Sequence, residues 1–293
     1  MNSLIALILA SLLISPLTFA ATTIKVGGKD FTEQIIMTEL TAQYLEEKGF
    51  KVVLDRGLKS GVLRKLLVDG DIDLYWEYTG TAYLNFQKQK YNGEDRNVIY
   101  QKVKLSDKRN DLVWLNNSTI NNTYALAISE QFAEEINVST LDELAAYQNT
   151  IGGLKLASNN VFLRRDDGLT PFQREYGFEF SKDNIKRIES GLVYAEVGER
   201  RADVGLVFST DGRIISQNLI VLEDTRNFFP PYELVPVVRK DVLQKNPGLE
   251  KYLNDLSEVL DTKAIAKLNY LVDVDKVLIW EAVEEFLISK DLL

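Results

Sequence analysis

The 293-residue chain contains no histidine and no cysteine. Without cysteine there is no thiolate nucleophile, no disulfide framework and no thiol for a lipid anchor, and without either residue there is no structural zinc cluster. Without histidine the common general base of neutral pH is missing. Any chemistry must then rest on carboxylates or on Ser and Lys. Positive charge is also in deficit: 34 Lys and Arg stand against 43 Asp and Glu, a formal net charge of -9 with a pI near 4.9. Such a chain, lacking a long basic run, repels phosphate backbones and argues against a nucleic-acid partner. Long hydrophobic runs are scarce as well. The apolar run at residues 4–13 is short for a bilayer, and no later stretch is long and apolar enough to cross one.

The rest of the composition is that of a globular protein. Hydrophobic residues make up 45% and charged residues 26%, enough for one sizeable core or two smaller ones. Residues 1–20 carry no charge, and the apolar run is followed by Thr18 and Ala20, set for cleavage before Ala21. This reads as an export signal, although no Lys or Arg precedes the run. The expected mature chain is soluble and exported.

Strand and helix patterns then alternate. Residues 23–26 read as a strand, and Asp30 and Glu33 have the spacing of a helix capping box. Ile36, Leu40 and Tyr44 repeat on one helical face, and Gly49 ends it. Residues 51–54, 72–75, 124–128 and 234–238 read as strands and residues 62–68 as helix, which argues for an α/β fold. From about Asn246 onward the pattern is helical, with Thr262 as an N-cap and Val277, Trp280, Val283 and Leu287 on one face.

Two segments echo each other. LVDGDIDLYWEYTG at residues 67–80 and VGERRADVGLVFSTDG at residues 197–212 both run from a helix end through Asp into a short apolar strand, an aromatic and a Thr-containing turn. Asp73 precedes Tyr78 as Asp203 precedes Phe208. Two similarly built halves would each place an aromatic at the C-terminal end of a strand, where α/β sheets hold ligands. The polar, Asn-rich residues 115–123 and the Pro-containing residues 224–232 are the expected crossings between them.

The strings GGKDFTEQ, DIDLYWEYTGTA, NNTYALAI, RRDDGLTPFQREYGF, STDGRI, FFPPYELVPVV and LNYLVDVD occur in that order from Gly27 to Asp275. Together they resemble the substrate-binding proteins of glycine betaine/choline/carnitine osmoprotectant ABC importers. The resemblance implies a type II periplasmic-binding-protein fold, with two α/β lobes joined by a hinge crossed twice. The implied division is a signal peptide at 1–20, lobe 1 at 21–118, lobe 2 at 119–225 and a return to lobe 1 at 226–293. It further implies a periplasmic, monomeric protein that serves an ABC permease and, through it, an ATPase, with no cofactor and no metal.

The ligand's chemistry explains the residues that match. A trimethylammonium group carries a charge but no N–H to donate, so aromatic faces suit it. By motif, Tyr78, Tyr124 and Tyr232 match the family's ammonium cage. Phe208 stands where relatives usually have Tyr, and so lacks a hydroxyl to orient the ring. Arg165 matches the family's carboxylate-binding Arg, with Lys29 and Thr81 beside it; Lys29 lies just ahead of a helix N-terminus, which favours an anion. Trp76 and Trp114 read as buried strand residues, with extra cage walls as the alternative. Two further readings stay open: choline, carnitine or another small solute as ligand, or a sensor that signals instead of delivering. An exported hydrolase built on Asp71, Asp73 and Glu77 is the remote alternative.

Overall fold

A computed structural model describes residues 22–164 and 168–293. The expected signal segment lies outside the described residues, as does Arg165. Among the described residues the strands form two five-stranded sheets. The first is built from β1 (Thr23–Lys29), β2 (Lys51–Leu58), β3 (Leu74–Tyr78), β4 (Leu112–Trp114) and, from far along the chain, β10 (Leu234–Arg239). The second holds β5 (Tyr124–Ser129), β6 (Leu156–Ser158), β7 (Ile185–Arg187), β8 (Val204–Phe208) and β9 (Leu219–Val221).

The sheets have the same plan. Their orders are β2-β1-β3-β10-β4 and β7-β6-β8-β5-β9. In each, the first three strands run parallel, and the strand that enters from the other sheet runs antiparallel to its two neighbours. The sequence echo has a physical basis here. The Asp73 carboxylate accepts the Lys25 backbone N–H at 2.8 Å, and the Asp203 carboxylate accepts that of Lys155 at 2.7 Å, each across 48 residues. Each Asp thus stitches the start of one parallel strand to the next and sets the register that carries Tyr78 and Phe208 to equivalent strand ends.

Helices cover both sheets. Helix α1 (Thr32–Glu47) buries Ile36, Met37, Leu40 and Tyr44 against Trp76 and the C-terminal helices, through Leu256, Leu268, Val283 and Leu287. Helix α2 (Ser60–Asp69) buries Leu63 and Leu67 and ends on Gly70, whose φ of 88° is the left-handed conformation glycine tolerates. The second sheet packs on a core that includes Leu126, Phe132, Leu141, Phe162 and Phe172. Trp76 and Trp114 are buried strand residues. No helix of the described residues is long and apolar enough to cross a membrane.

The chain passes between the sheets from Trp114 to Tyr124 and returns from Val221 to Leu234. The two passages run side by side. Leu234 N–H donates to the Ile120 carbonyl at 3.2 Å, Asn122 N–H donates to the Tyr232 carbonyl at 3.1 Å, and the Asn121 side chain accepts the Tyr232 N–H at 2.7 Å.

Three local expectations are corrected. The capping box at Asp30 and Glu33 does not form: Phe31 is the N-cap of α1 without a side-chain cap bond, because the Glu33 carboxylate turns to Tyr78 and Asn122. The helix Thr262–Asp273 is capped by Asp261, which accepts the Ala264 N–H at 2.6 Å; Thr262 is its first residue. In the last helix, Ile279–Ser289, Val283 and Leu287 are buried, but Trp280 is 51% exposed and Val277 precedes the helix.

If the two Asp stitches set register, Asp73→Ala and Asp203→Ala should each lower unfolding free energy by about 1–3 kcal/mol, the range for a lost charge-assisted bond to backbone. Urea titration checks this; a loss in neither variant would show that strand pairing holds register without them.

Candidate functional site

A cavity of about 480 Å³ opens where the C-terminal ends of β3 and β8 meet the two crossings. Phe31, Tyr78, Phe208 and Tyr232 line it, together with Lys29, Glu33, Thr81, Asn122, Thr210, Asp211, Arg213, Asn269 and Asp273. Of the residues expected from sequence, Lys29, Tyr78, Thr81, Phe208 and Tyr232 are brought together around this space. Tyr124 is not among the lining residues. It is register partner to Phe208 on the adjacent antiparallel strand, so the two rings stack, with centroids 4.9 Å apart and planes at 29°. Tyr124 borders instead a neighbouring pocket of about 410 Å³ with Asn121, Thr123 and Phe229.

A second stacked pair faces it from the first sheet: Phe31 lies 6.3 Å from Tyr78 at 23°. Tyr78 itself is only 4% exposed, so little of its ring meets the cavity. Phe31, 38% exposed, offers more. Tyr232 enters from the returning crossing, and its ring lies against Gly80, where a Cβ would come within 2.8 Å of it. Only glycine admits that approach, which accounts for the Gly in the YTGT turn. Gly212 does the same for the STDG turn: a Cβ there would come 2.4 Å from the backbone nitrogen of Tyr270. The second sheet's loop therefore rests directly on the helix Thr262–Asp273.

Charge in the wall is largely paired. Lys29 Nζ lies 2.5 Å from Glu77 Oε1, both side chains almost wholly buried, and 4.6 Å from the centroid of the Tyr78 ring. Glu77 also accepts the Tyr75 hydroxyl at 3.0 Å and the Tyr78 backbone N–H at 2.7 Å. The anion that Lys29 meets is thus part of the protein. Arg213 pairs with Asp211 at 2.5 Å and lies over the Tyr194 ring at 4.4 Å. Asp273 accepts the Thr32 hydroxyl at 2.8 Å.

Glu33 differs from these. Burial pushes its carboxyl up from the ordinary carboxylate value, and hydrogen bonds from Thr210, Tyr78, Asn122 and Asn269 act against that shift. Burial, followed by the nearby Glu33 charge, raises the Tyr78 hydroxyl well above its usual range. Sequence reading missed Phe31, Glu33, Asn122, Asn269 and the Asp211–Arg213 pair. The FTEQ and NNTY strings contain three of them, but no spacing rule marks a first-turn Glu as buried.

The family model described as "Substrate binding domain of ABC-type glycine betaine transport system" matches residues 22–289. The chain belongs to this family. This binding domain is 37% identical over 281 residues to a glycine-betaine-binding protein of Pseudomonas aeruginosa, covering 93% of this chain and 89% of the relative. It is 31% identical over 265 residues to the glycine betaine-binding protein YehZ of Escherichia coli, covering 87% of each. Among solved structures, apo YehZ superposes with a TM-score of 0.85 at 28% identity, covering 93% of this chain and all of that one. The two-sheet plan is accordingly the type II periplasmic-binding-protein fold, and the binding domain is a transport receptor by family.

Lys29 serves as a test of how far the wall is structural. Lys29→Met should leave Glu77 buried and uncompensated and destabilise the protein by about 3–5 kcal/mol. Adding Glu77→Gln should recover much of that loss. A double variant no more stable than Lys29→Met would mean that the pair is not the source of the cost; thermal and urea unfolding read it out.

Proposed function

We propose that the protein is the exported receptor of an ABC importer for a compact quaternary-ammonium solute, with glycine betaine as the leading ligand. One observation carries this: aromatic rings from both sheets and from the returning crossing border a single cavity. Such rings accept a cation that has no N–H to give. Relatives named for glycine betaine support the choice of solute. The cage would comprise Tyr78, Phe208 and Tyr232, with Tyr124 backing Phe208. Thr81 and Arg165, the latter matched by motif alone, would hold the carboxylate.

The organisation follows from that role. Lobe 1 would comprise 21–118 and 226–293 and lobe 2 119–225, closing over the solute by hinge movement. The segment up to Ala20 would be removed on export to the periplasm, and the monomer would deliver its load to a permease driven by an ATPase.

A second reading is choline. Both cations of the described wall, Lys29 and Arg213, are already paired, which suits a ligand without a carboxylate. Arg165→Ala separates the two. It should weaken betaine binding by about 1.5–3 kcal/mol, the worth of charge-assisted bonds, and weaken choline binding much less. Calorimetric dissociation constants for both ligands decide. Equal losses would remove Arg165 from the carboxylate end, and a wild-type preference for choline would displace betaine as the solute. A thermal-shift screen of betaine, choline and carnitine is the first measurement, because a ligand of the folded state raises Tm by mass action. No shift with any of them would reject the cage.

A further inference from the structure

Glu33 is 3% exposed, borders the cavity and makes no ion pair among the described residues. Its partners are neutral donors from separate segments: the Tyr78 hydroxyl at 2.6 Å, the Asn122 amide at 3.1 Å, the Asn269 amide at 3.3 Å and the Thr210 side chain. A carboxylate has about four lone-pair sites, so these fill its capacity. A buried carboxylate without a counter-charge costs stability, and the ring of donors offsets that cost.

The donors share one property. Tyr78 is itself a ring of the cavity. Asn122 shortly precedes Tyr124, and its backbone N–H donates to the Tyr232 carbonyl at 3.1 Å. Thr210 shortly follows Phe208. The Asn269 amide also donates to the Thr210 carbonyl at 2.8 Å, which ties the second sheet's loop to the helix Thr262–Asp273. One carboxylate therefore gathers the first sheet, the crossing and the second sheet at the points where each presents an aromatic.

We infer that Glu33 is a positioning residue of the binding site, holding the aromatic positions of both lobes in register through Tyr78, Asn122 and, by way of the Asn269 amide, the Thr210 turn. This rests on the reading of the cavity as a quaternary-ammonium site. Glu33 acts through the rings; a direct pull of its charge on the cation is the rival role, which the additivity of the substitutions below separates from it.

A double-substitution cycle tests this, read by calorimetric titration with glycine betaine on the wild type, Glu33→Gln, Tyr78→Phe and the double variant. Glu33→Gln preserves side-chain size and removes a buried charge. Among the described residues the buried Asn122 Oδ1 has no hydrogen-bond partner, so that amide can turn to accept the new N–H, and the variant should fold. Glu33→Gln should weaken betaine binding roughly tenfold, and Tyr78→Phe should weaken it by less. The double variant should bind no more weakly than Glu33→Gln alone, since coupled residues are not additive. Fully additive losses would overturn the inference and make Glu33 a direct charge on the ligand; unchanged affinity in Glu33→Gln would overturn it too. If the wild type binds no quaternary ammonium, the functional reading fails instead. A crystal structure of unliganded Glu33→Gln still decides the positioning role: displacement of the Tyr78 ring and the Thr210 loop supports it, and unmoved positions refute it.

Discussion

A charge in the middle of a sheet must be neutralised locally, and the first sheet carries one. Glu77 lies within β3, a strand buried along its whole length, and its side chain is out of reach of bulk solvent. Lys29, at the end of the neighbouring strand β1, meets that need at 2.5 Å, and Tyr75 and the Tyr78 backbone add hydrogen bonds. Much of the site follows from this pair. It fixes the end of β1, and hence the entry into α1 that brings Phe31 and Glu33 to the cavity. It places the Lys29 ammonium over the Tyr78 ring, which holds that ring from the side. A buried pair of this kind adds little net stability against an apolar substitute, but removing one partner is costly. It therefore restricts how this corner of the sheet packs.

The second constraint is topological. Two sheets of the same strand order, each receiving an antiparallel strand from the other's direction, bring the C-terminal ends of β3 and β8 to face one another across the crossings. Ligand sites of open α/β sheets lie at such ends. The lining of the candidate cavity is drawn from both halves. The cavity exists because Gly80 lets the Tyr232 ring close on one turn and Gly212 lets the other turn rest on the backbone of the C-terminal helix. Of these two glycines, Gly80 admits the returning crossing to the first sheet's turn, and Gly212 sets how near the second sheet's loop comes to the C-terminal helix.

Most of the fold was legible in the sequence. The echo of Asp73 and Tyr78 in Asp203 and Phe208 corresponds to a repeated Asp-to-backbone stitch, because the feature is local and its spacing is set by strand geometry. The crossings were legible from their Asn and Pro content. Motif positions brought Lys29, Tyr78, Thr81, Phe208 and Tyr232 to one cavity. What sequence could not convey was how each side chain is engaged. Asp30 and Glu33 have capping-box spacing, and only the folded chain shows that a ring of distant donors draws the Glu33 carboxylate away from the backbone. Lys29 reads as a free cation until Glu77, distant in sequence, is placed beside it. Tyr124 reads as a cage wall, and only the folded chain shows it paired and stacked with Phe208 and outside the residues that line the cavity.

That last placement bears on the absent hydroxyl. In the first sheet, the Tyr78 ring is oriented through its hydroxyl, which donates to Glu33 at 2.6 Å. In the second sheet, the Phe208 ring has no hydroxyl and is oriented by packing against Tyr124, at 4.9 Å and 29°. Offset stacking of this kind is worth about 0.5–1.5 kcal/mol beyond the area it buries, comparable to the net worth of one neutral hydrogen bond, about 0.5–1.5 kcal/mol. Cation–π attraction depends on the ring face, which Phe retains. The two lobes thus hold their rings by different means, one polar and one apolar, and loss of the hydroxyl at position 208 need not loosen the ring. A tyrosine at 208 would add a hydroxyl at the ring's rim and leave the ring face as it is.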